Sequence, residues 1–561
     1  MASDKSGQEI QETDIAEKDL SMNSGASLLR WYQEKREDIW SYLITSTLVK
    51  AIVVVLCCIA ITAYIGAAFI YNYREAYRLL FLLFFLGCIA LIEVIDRICT
   101  RYKWSPTNRI RKIWKIIEIV LVIFIVISIL MFCIIRQWNT LSNLRPLAGL
   151  CLLILMTILT SSDPSLICWR TVVIGFILQF FIGYLVMQTK FGYAVIHWIG
   201  CKFLLIIEAS ETGINFVFGK LATDFNTVLI NGLFSIIVFY ACINLLYHWK
   251  ILPYIAEKIS KVLQFTMDTT ACESLNVSAN IFIGMQEAFI IVQPLLENCD
   301  ISELFAVMVG GMTTISGPLL AVYILMGVSP VHLVSASAMS APAALAFAKL
   351  SFPAKKHIKD ERDAKDEESA IKSTFQSKYI NAMDAVSQGA LQGLIVVGAI
   401  TANLVMVLSL IQLCDFALAW FGSYVGREDL SVQQITGYIL APLAYLIGAD
   451  YNDSKQVGFL MAAKTIANDF YAFDLLANDI ANNVLSKRSV VIATYALCGF
   501  SNLGSVGIAI GGLSAIIPKR KQEVALLGIR AMIVASLACF STACIAGLML
   551  SDETLTVDGQ C

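Results

Sequence analysis

Two apolar segments of this chain are interrupted near their middle by residues that end helices. The interruptions are residues 313–318 (TTISGP) and residues 499–505 (GFSNLGS). A lipid bilayer holds no water to pair with free backbone groups, so such breaks occur only where protein or a water-filled cavity surrounds them. Paired interruptions in two halves of a membrane chain are typical of the binding site of a secondary transporter. The pattern therefore predicts that the chain carries a solute across a membrane.

The composition fits a membrane protein and argues against several other classes. Of the 561 residues, 58% are hydrophobic, and the mean hydropathy is +0.72. A net charge of −2 without a basic face argues against nucleic acid as a partner. The sequence has no G-x-x-x-x-G-K-[ST] loop and no zinc-ligand spacing, which argues against an ATP-driven pump and a metalloenzyme. We expect an all-α polytopic membrane protein that is not an enzyme and uses a coupling ion but no cofactor.

About eleven stretches are long and apolar enough to span ~30 Å of hydrocarbon. Two further apolar stretches contain charges and are predicted to form re-entrant helical hairpins, and two amphipathic ones are predicted to lie in the membrane interface. The predicted spans are 42–72, 77–98, 114–136, 146–162, 169–189, 228–248, 301–327, 329–350, 383–411, 488–515 and 524–550. The predicted hairpins are 271–297 and 434–476, and the predicted interfacial helices are 192–222 and 250–268.

Lysine and arginine set the predicted orientation. Counting spans places four basic clusters on one side of the membrane with the N-terminus, which is therefore predicted to be cytosolic, and the C-terminus extracellular. A hairpin and a broken helix precede a charged linker and a second pair follows it with inverted topology, which is the inverted-repeat plan of transporters. The predicted regions are a cytosolic tail (1–40), three N-terminal helices (41–140), scaffold and interfacial helices (141–270), a first transport half (271–350), a cytosolic linker (351–382), a second transport half with scaffold helices (383–550) and an extracellular tail (551–561).

Two carboxylates occur within otherwise apolar segments. Glu287 belongs to the first predicted hairpin and Asp469 to the second. A charge at membrane depth costs several kcal/mol unless it faces a cavity or a partner, so we expect both to bind a ligand or an ion. The alternatives are an interfacial charge at a helix end for Glu287 and simple pairing with Lys464 for Asp469.

The first break is expected to bind a cation. The free backbone carbonyls of Thr314 and Ile315 are suitable ligands, and the side chains of Asn280 and Thr314 add an amide and a hydroxyl. A structural kink at Pro318 is the alternative.

The second break offers groups for an organic solute. Phe500 has a ring face for stacking, Asn502 has donors and acceptors, and Ser505 has a hydroxyl. This set suits a flat ring joined to a polyhydroxyl group. Close packing of small residues between helices is the alternative.

At these same residues the chain resembles the concentrative nucleoside transporter family, over about 228–550. The most specific stretches are 280–287, 310–323, 332–349 (HLVSASAMSAPAALAFAK) and 496–512 (ALCGFSNLGSVGIAIGG). The resemblance implies nucleoside symport into the cell across the plasma membrane, coupled to Na⁺ or in some members to H⁺. It further implies a membrane-embedded homotrimer in which a transport domain moves against a fixed scaffold, elevator fashion.

The resemblance also assigns binding roles to individual positions. It implies a Na⁺ site made of Asn280, Ile283, Thr314 and Ile315. It implies nucleobase contacts from Met285, Gln286, Glu287 and Leu319 with Phe500 against the base, and ribose contacts from Asp469, Asn502 and Ser505.

Several positions depart from the family pattern. The pair Gly284-Met285 at the first hairpin is similar to the purine-preferring animal members, and a thioether there favours the larger, more polarizable ring. Asp469 stands where glutamate is usual, and Gln293 and Pro318 also differ from the common residues. The alternatives to a Na⁺-coupled symporter are H⁺ coupling and a nucleoside-binding receptor or channel that does not concentrate its ligand.

Overall fold

The structure is a computed structural model that describes residues 144–219, 227–354, 379–424 and 430–550, with positions 129 and 426. For 227–231 only the backbone is described. The predicted tails 1–40 and 551–561, the three predicted N-terminal helices apart from position 129, and most of the charged linker lie outside this part of the chain.

All regular structure in the described residues is helical, as predicted for an all-α membrane protein. Eighteen α-helices follow one another along the chain. They are α1 Arg145–Leu159, α2 Trp169–Gln188, α3 Lys190–Phe218, α4 Thr227–His248, α5 Ile251–Met267, α6 Ala271–Asn280, α7 Met285–Ile291, α8 Gln293–Leu296, α9 Ile301–Thr313, α10 Gly317–Leu325, α11 Pro330–Ser351, α12 Ala382–Ser423, α13 Val432–Ile447, α14 Ser454–Ile466, α15 Asp469–Ala481, α16 Lys487–Leu497, α17 Leu503–Ile516 and α18 Lys521–Met549.

Six helices of the described chain are long and apolar enough to cross a membrane when the broken pair α9 and α10 is counted as one. Five of them match predicted spans, and the sixth is α3. The bent pair α4 and α5, whose axes turn by 74° at a short break, adds a seventh if it is counted as one span. The predicted helix at 250–268 therefore exists as α5, and its place in the membrane interface stays a prediction.

The predicted interfacial helix at 192–222 exists as α3, and its place in the membrane interface stays a prediction. It is one continuous helix of 29 residues that is apolar enough to cross a membrane. Its charged residues are Lys190, Lys202, Glu208 and Glu211. These four charges are few enough that length and composition would allow α3 to cross a membrane.

Both predicted breaks are present. The first separates α9 from α10 at residues 314–316, and the second separates α16 from α17 at residues 498–502. A helical hairpin precedes each broken helix, and a long helix, α11 or α18, follows it. The order hairpin, broken helix and long helix therefore occurs twice, as the predicted repeat requires.

The first hairpin has its predicted position, with α6 and α7 joined by a turn at 281–284. The second predicted hairpin, 434–476, was wrong in its bounds. The polar run 448–453 (GADYND) ends α13, so the hairpin consists of α14 and α15, with its turn at 467–468. The helix α13 is a separate element that packs along α14.

The helix α12 is much longer than the predicted span 383–411. It has 42 residues, which at 1.5 Å per residue is about 63 Å, roughly twice the thickness of a bilayer's hydrocarbon core. The sequence continues past residue 411 without a proline or a helix-ending turn until Ser423, which is why the helix does not stop there.

A stripe of small residues holds α12 against α4. Gly389 and Gly393 are buried on the α12 face that packs on α4. A Cβ atom at Gly389 would lie 2.6 Å from the backbone oxygen of Tyr240, and one at Gly393 would lie 2.7 Å from Cα of Ile237. The two backbones can approach this closely only without side chains in between, a recurrent way of packing helices in membranes.

The substitution Gly389→Ala should destabilise the α4–α12 contact by about 1–3 kcal/mol, because the added methyl group has no space. Thermal unfolding of the purified protein in detergent measures this change. The matched control is Gly398→Ala on the same helix, where an added Cβ meets nothing within 4 Å. The control should melt at or above the wild-type temperature, and equal losses in both variants would contradict the packing argument.

Candidate functional site

The turn of the first hairpin lies beside the first break. The backbone N–H of Gly317 donates to the carbonyl of Phe282 at 3.3 Å. The helix α7 begins just after the N-cap residue Gly284, and α10 begins just after the N-cap residue Ser316. Two helices therefore start next to each other at this point. The first turn of α10 has its N–H groups occupied, because Gly317 donates to Phe282, Leu319 donates to Ser316, and Pro318 has no N–H.

The second break lies against the first. Gly499 has φ +135°, a conformation that side chains rarely adopt, and a Cβ atom there would lie 2.6 Å from the carbonyl oxygen of Thr313 at the end of α9. The thiol of Cys539 on α18 donates to the same oxygen at 3.5 Å. The glycine thus permits a direct backbone contact between the two broken helices.

The second hairpin reaches the second break through Asp469. The side chain of Asn502 donates to Asp469 Oδ1 at 3.1 Å, and its own oxygen accepts from the N–H of Ser505 at 2.8 Å. One amide therefore caps α17 and also holds the acid. The hydroxyl of Tyr323, on α10, donates to the other carboxylate oxygen, Oδ2, and the tyrosine ring stacks on Phe473 at 4.1 Å.

The charge of Lys464 acts on Asp469, but the hydrogen bond of this lysine goes elsewhere. Its ammonium group is fully buried and donates to the carbonyl of Ala496 at 3.1 Å. That carbonyl belongs to the last turn of α16, where helix geometry leaves it without an intrahelical partner. The lysine therefore caps a helix end, and the carboxylate is held by Tyr323 and Asn502.

These elements enclose one cavity of about 760 Å³, counting the space that opens to solvent. The N-cap residues of α7, α10, α15 and α17 all line it, so four helices begin at its wall. The structure brings all the predicted nucleoside-binding residues to this cavity: Met285, Gln286, Glu287, Leu319, Asp469, Phe500, Asn502 and Ser505. Their roles in binding stay a prediction, but their convergence from four separate segments is a finding.

The sequence reasoning missed one wall of the cavity. It is formed by Val396, Ala399, Ile400 and Asn403 of α12, and Tyr240 of α4 adds a hydroxyl. The α12 residues share one helical face, since they are spaced by three, four and seven. Three of the four are apolar within an apolar helix, so only the polar Asn403 could have drawn attention to this face.

Two side chains, one from α12 and one from α4, form hydrogen bonds with the carboxylate of Glu287. The amide nitrogen of Gln392 on α12 donates to Glu287 Oε1 at 2.9 Å, and the hydroxyl of Tyr240 forms a second hydrogen bond to the carboxylate. Glu287 therefore lies at the cavity with two hydrogen-bonded partners, as expected of a carboxylate that binds a ligand.

The four predicted cation ligands are all buried near the first break and the hairpin turn. Thr314 and Asn280 are 1% exposed, Ile315 is fully buried, and Ile283 is 5% exposed. The side-chain nitrogen of Asn280 has no hydrogen-bond partner. Since a 180° turn exchanges the two ends of an amide, the carbonyl oxygen of Asn280 can take that position and meet a cation.

Three family models match this chain. One described as "Na+ dependent nucleoside transporter N-terminus" matches residues 148–221, "Nucleoside recognition" matches 229–330, and "Na+ dependent nucleoside transporter C-terminus" matches 332–547. Solute carrier family 28 member 3 of Eptatretus stoutii is 34% identical over 88% of this chain and 74% of its own length. The chain belongs to the concentrative nucleoside transporter family. It is therefore a transporter and not an enzyme.

Other members of the concentrative nucleoside transporter family extend the comparison. Sodium/nucleoside cotransporter 1 of Oryctolagus cuniculus is 33% identical over 90% of this chain and 78% of its own length. Solute carrier family 28 member 3 of Mus musculus is 38% identical over 74% of this chain, and the match spans 60% of that relative. The structures of CNTnw in an inward-facing substrate-bound state and of a CNTnw variant in an outward-facing state each match with a TM-score of 0.67 and 32% identity. Each match covers 73% of this chain and 98% of the other.

The substitution Asn502→Asp should destabilise the site more than Asn502→Ser. Both keep an oxygen that can cap α17, but the aspartate places a second carboxylate against Asp469, where the amide now donates at 3.1 Å. We expect a melting temperature several degrees lower for Asn502→Asp than for Asn502→Ser, measured on the purified protein at neutral pH. Equal melting temperatures would show that a negative charge at position 502 does not repel Asp469 enough to destabilise the protein.

Proposed function

We propose that this transporter moves nucleosides into the cell by symport with Na⁺. The observation that carries the proposal is a cavity at which two carboxylates, the half-buried Glu287 and the buried Asp469, meet the starts of four helices. A nucleoside has a flat base with hydrogen-bonding edges and a ribose with hydroxyl groups, and the cavity has matching groups on separate sides. The names of the sodium/nucleoside cotransporter relatives support the same substrate and ion.

In the proposed complex, the base lies between the first hairpin and Phe500. Met285, Gln286 and Glu287 of the hairpin face it from one side, and Leu319 borders it from α10. The N–H groups at the start of α7 and the glutamine amide can donate to base acceptors, while the carboxylate accepts from base N–H groups.

The ribose is proposed to lie on the side of the second break. Asp469 is fixed by Tyr323 and Asn502 and keeps acceptor capacity for hydroxyl donors. Ser505 adds a hydroxyl group on the first turn of α17. Because aspartate is one methylene shorter than glutamate, a bridging water fits between it and the ribose.

The Na⁺ is proposed to bind at the first break. The ligands are the side-chain oxygen of Asn280, the carbonyl of Ile283, the hydroxyl and carbonyl of Thr314, and the carbonyl of Ile315. Half-helix ends with unwound carbonyls are the usual Na⁺ ligands of broken transporter helices. Binding there would neutralise the carbonyl end of α9, which faces the contact with Gly499.

We propose a preference for purine nucleosides because Met285 lines the cavity at the base side. A thioether makes no hydrogen bond with the edge of the base. It provides a polarizable apolar contact instead, which favours the larger purine ring. The alternating access is proposed to be of the elevator type, in a homotrimer in the plasma membrane with a cytosolic N-terminus and an extracellular C-terminus. CNTnw, which shares the fold, has been solved in inward-facing and outward-facing states.

Two alternative functions have specific motives. Glu287 could carry a proton in place of Na⁺, because it is a half-buried carboxylate that lines the cavity. The departures from the family pattern at Met285 and Asp469 motivate the second alternative, a receptor or channel that uses the same cavity without concentrating its ligand.

Radiolabelled uptake in cells that lack nucleoside transport separates these functions. We expect adenosine and inosine to accumulate above their external concentrations in Na⁺ medium, and uptake to collapse when choline replaces Na⁺ at fixed pH. Uptake that persists in choline and increases with acidity would establish H⁺ coupling. Equilibration without accumulation would establish a channel, and equal uptake of uridine and inosine would remove the purine preference. The absence of any gradient-dependent uptake would remove the proposed function.

The substitution Glu287→Gln should abolish or strongly reduce uptake while the protein still folds. The amide keeps the size of the side chain and lowers the cost of its burial, but it loses the charge that accepts from the base. Uptake should be normalised to the amount of protein at the cell surface. Wild-type rates in this variant would show that Glu287 does not bind the nucleoside.

A further inference from the structure

A line of hydrogen bonds runs from the cavity outward along α12 and α4. It begins at Glu287 Oε1, which accepts from the amide nitrogen of Gln392 at 2.9 Å. The oxygen of Gln392 accepts from the amide nitrogen of Asn244 at 3.1 Å, and the oxygen of Asn244 accepts from the hydroxyl of Tyr379 at 2.8 Å. The tyrosine directly follows the charged segment 355–378. Four side chains from three segments of the protein thus form one continuous chain of hydrogen bonds. Its inner end is Glu287, a residue proposed to bind the nucleoside.

The direction of every bond in this chain follows from one group. An ionised carboxylate can only accept hydrogen bonds, so the group of Gln392 that faces Glu287 must be its NH₂. Its carbonyl then faces Asn244 and requires an NH₂ there, which in turn leaves the carbonyl of Asn244 for the hydroxyl of Tyr379. The arrangement is satisfied in one direction only, so each amide is locked in one orientation.

The surroundings of Glu287 contain few other groups that could replace these partners. Besides Gln392, the carboxylate of Glu287 has a hydrogen bond with the hydroxyl of Tyr240. The helix α7 has no other charged residue, and α17, which packs against it, has none. On α12, Asp384 acts on Tyr379 at the outer end of the chain.

We infer that Gln392 and Asn244 are positioning residues for nucleoside binding. They hold one oxygen of Glu287 on the side of α12, which fixes the plane of the carboxylate and leaves its remaining acceptor sites for the base. This inference rests on the proposed function and adds residues from α4 and α12 to it. Neither residue lines the cavity, so both act only through Glu287.

The substitution Asn244→Asp tests the direction of the chain. An aspartate at position 244 cannot donate, so the amide of Gln392 turns its NH₂ outward and its carbonyl then faces the Glu287 carboxylate. Two acceptors meet, and the melting temperature of the purified full-length protein should fall. In the Glu287→Gln background the new glutamine can turn its own NH₂ toward that carbonyl, so Asn244→Asp should lower the melting temperature much less. Equal losses in the two backgrounds would overturn the inference.

Transport kinetics give the functional readout. Asn244→Asp should raise the apparent KM for the nucleoside by about tenfold, equivalent to about 1.4 kcal/mol. The maximal rate per molecule at the cell surface should change much less, because the variant disturbs a ligand and not the moving parts. A reduced maximal rate with an unchanged KM would contradict a positioning role.

The matched control is Gln388→Leu, one turn earlier on α12 at an exposed position. It should leave both the melting temperature and the KM unchanged, and a KM change as large as that of Asn244→Asp would contradict the inference. If the wild-type protein transports no nucleoside, the proposed function fails. The melting-temperature comparison still decides whether the chain of bonds exists, so the two failures are distinguishable.

Discussion

The structure depends on the need to satisfy backbone groups where helices stop in the interior of the protein. Two helices break, two hairpins turn, and four helices therefore begin around one cavity. The side chains of Asn468 and Asn502 cap two of these starts. The acids Glu287 and Asp469 lie in first turns, where the positive end of a helix favours a negative charge. The polarity of the cavity is thus a direct consequence of interrupting the helices.

The sequence predicted the parts of the site that break an apolar pattern. Carboxylates, an asparagine and glycines stand out within apolar segments, and the structure brings those residues together. The wall formed by α12 was not predictable in this way, because Val396 and Ile400 are ordinary residues of an apolar helix. Gln392 is polar, but its partner Glu287 is 105 residues away, and a single sequence does not show which helices are neighbours.

The errors in helix bounds have equally specific causes. The polar loop 448–453 is short, so the sequence reading joined α13 to the hairpin that follows it. The helix α12 passes residue 411 because no residue there stops a helix, and its length exceeds that of a single span. In both cases, composition indicated a membrane segment correctly, but the ends were set by local caps and turns that composition does not reveal.

The two acids of the cavity are held by different parts of the molecule. Asp469 is bound by Tyr323 and Asn502, one from each broken helix. Glu287 is bound from α4 and α12. A shift of the hairpins and broken helices relative to α12 would therefore change the partners of Glu287 and leave those of Asp469 in place.

The contact between Gly499 and Thr313 has a consequence for energy coupling. On one side of this contact, the next residue is Thr314, a proposed Na⁺ ligand, and on the other side the next residue is Phe500, which borders the proposed base site. The proposed cation site and the proposed base site would therefore adjoin the same backbone contact, beside the thiol of Cys539. A cation bound at Thr314 would then bear on the position of Phe500 through this one backbone contact.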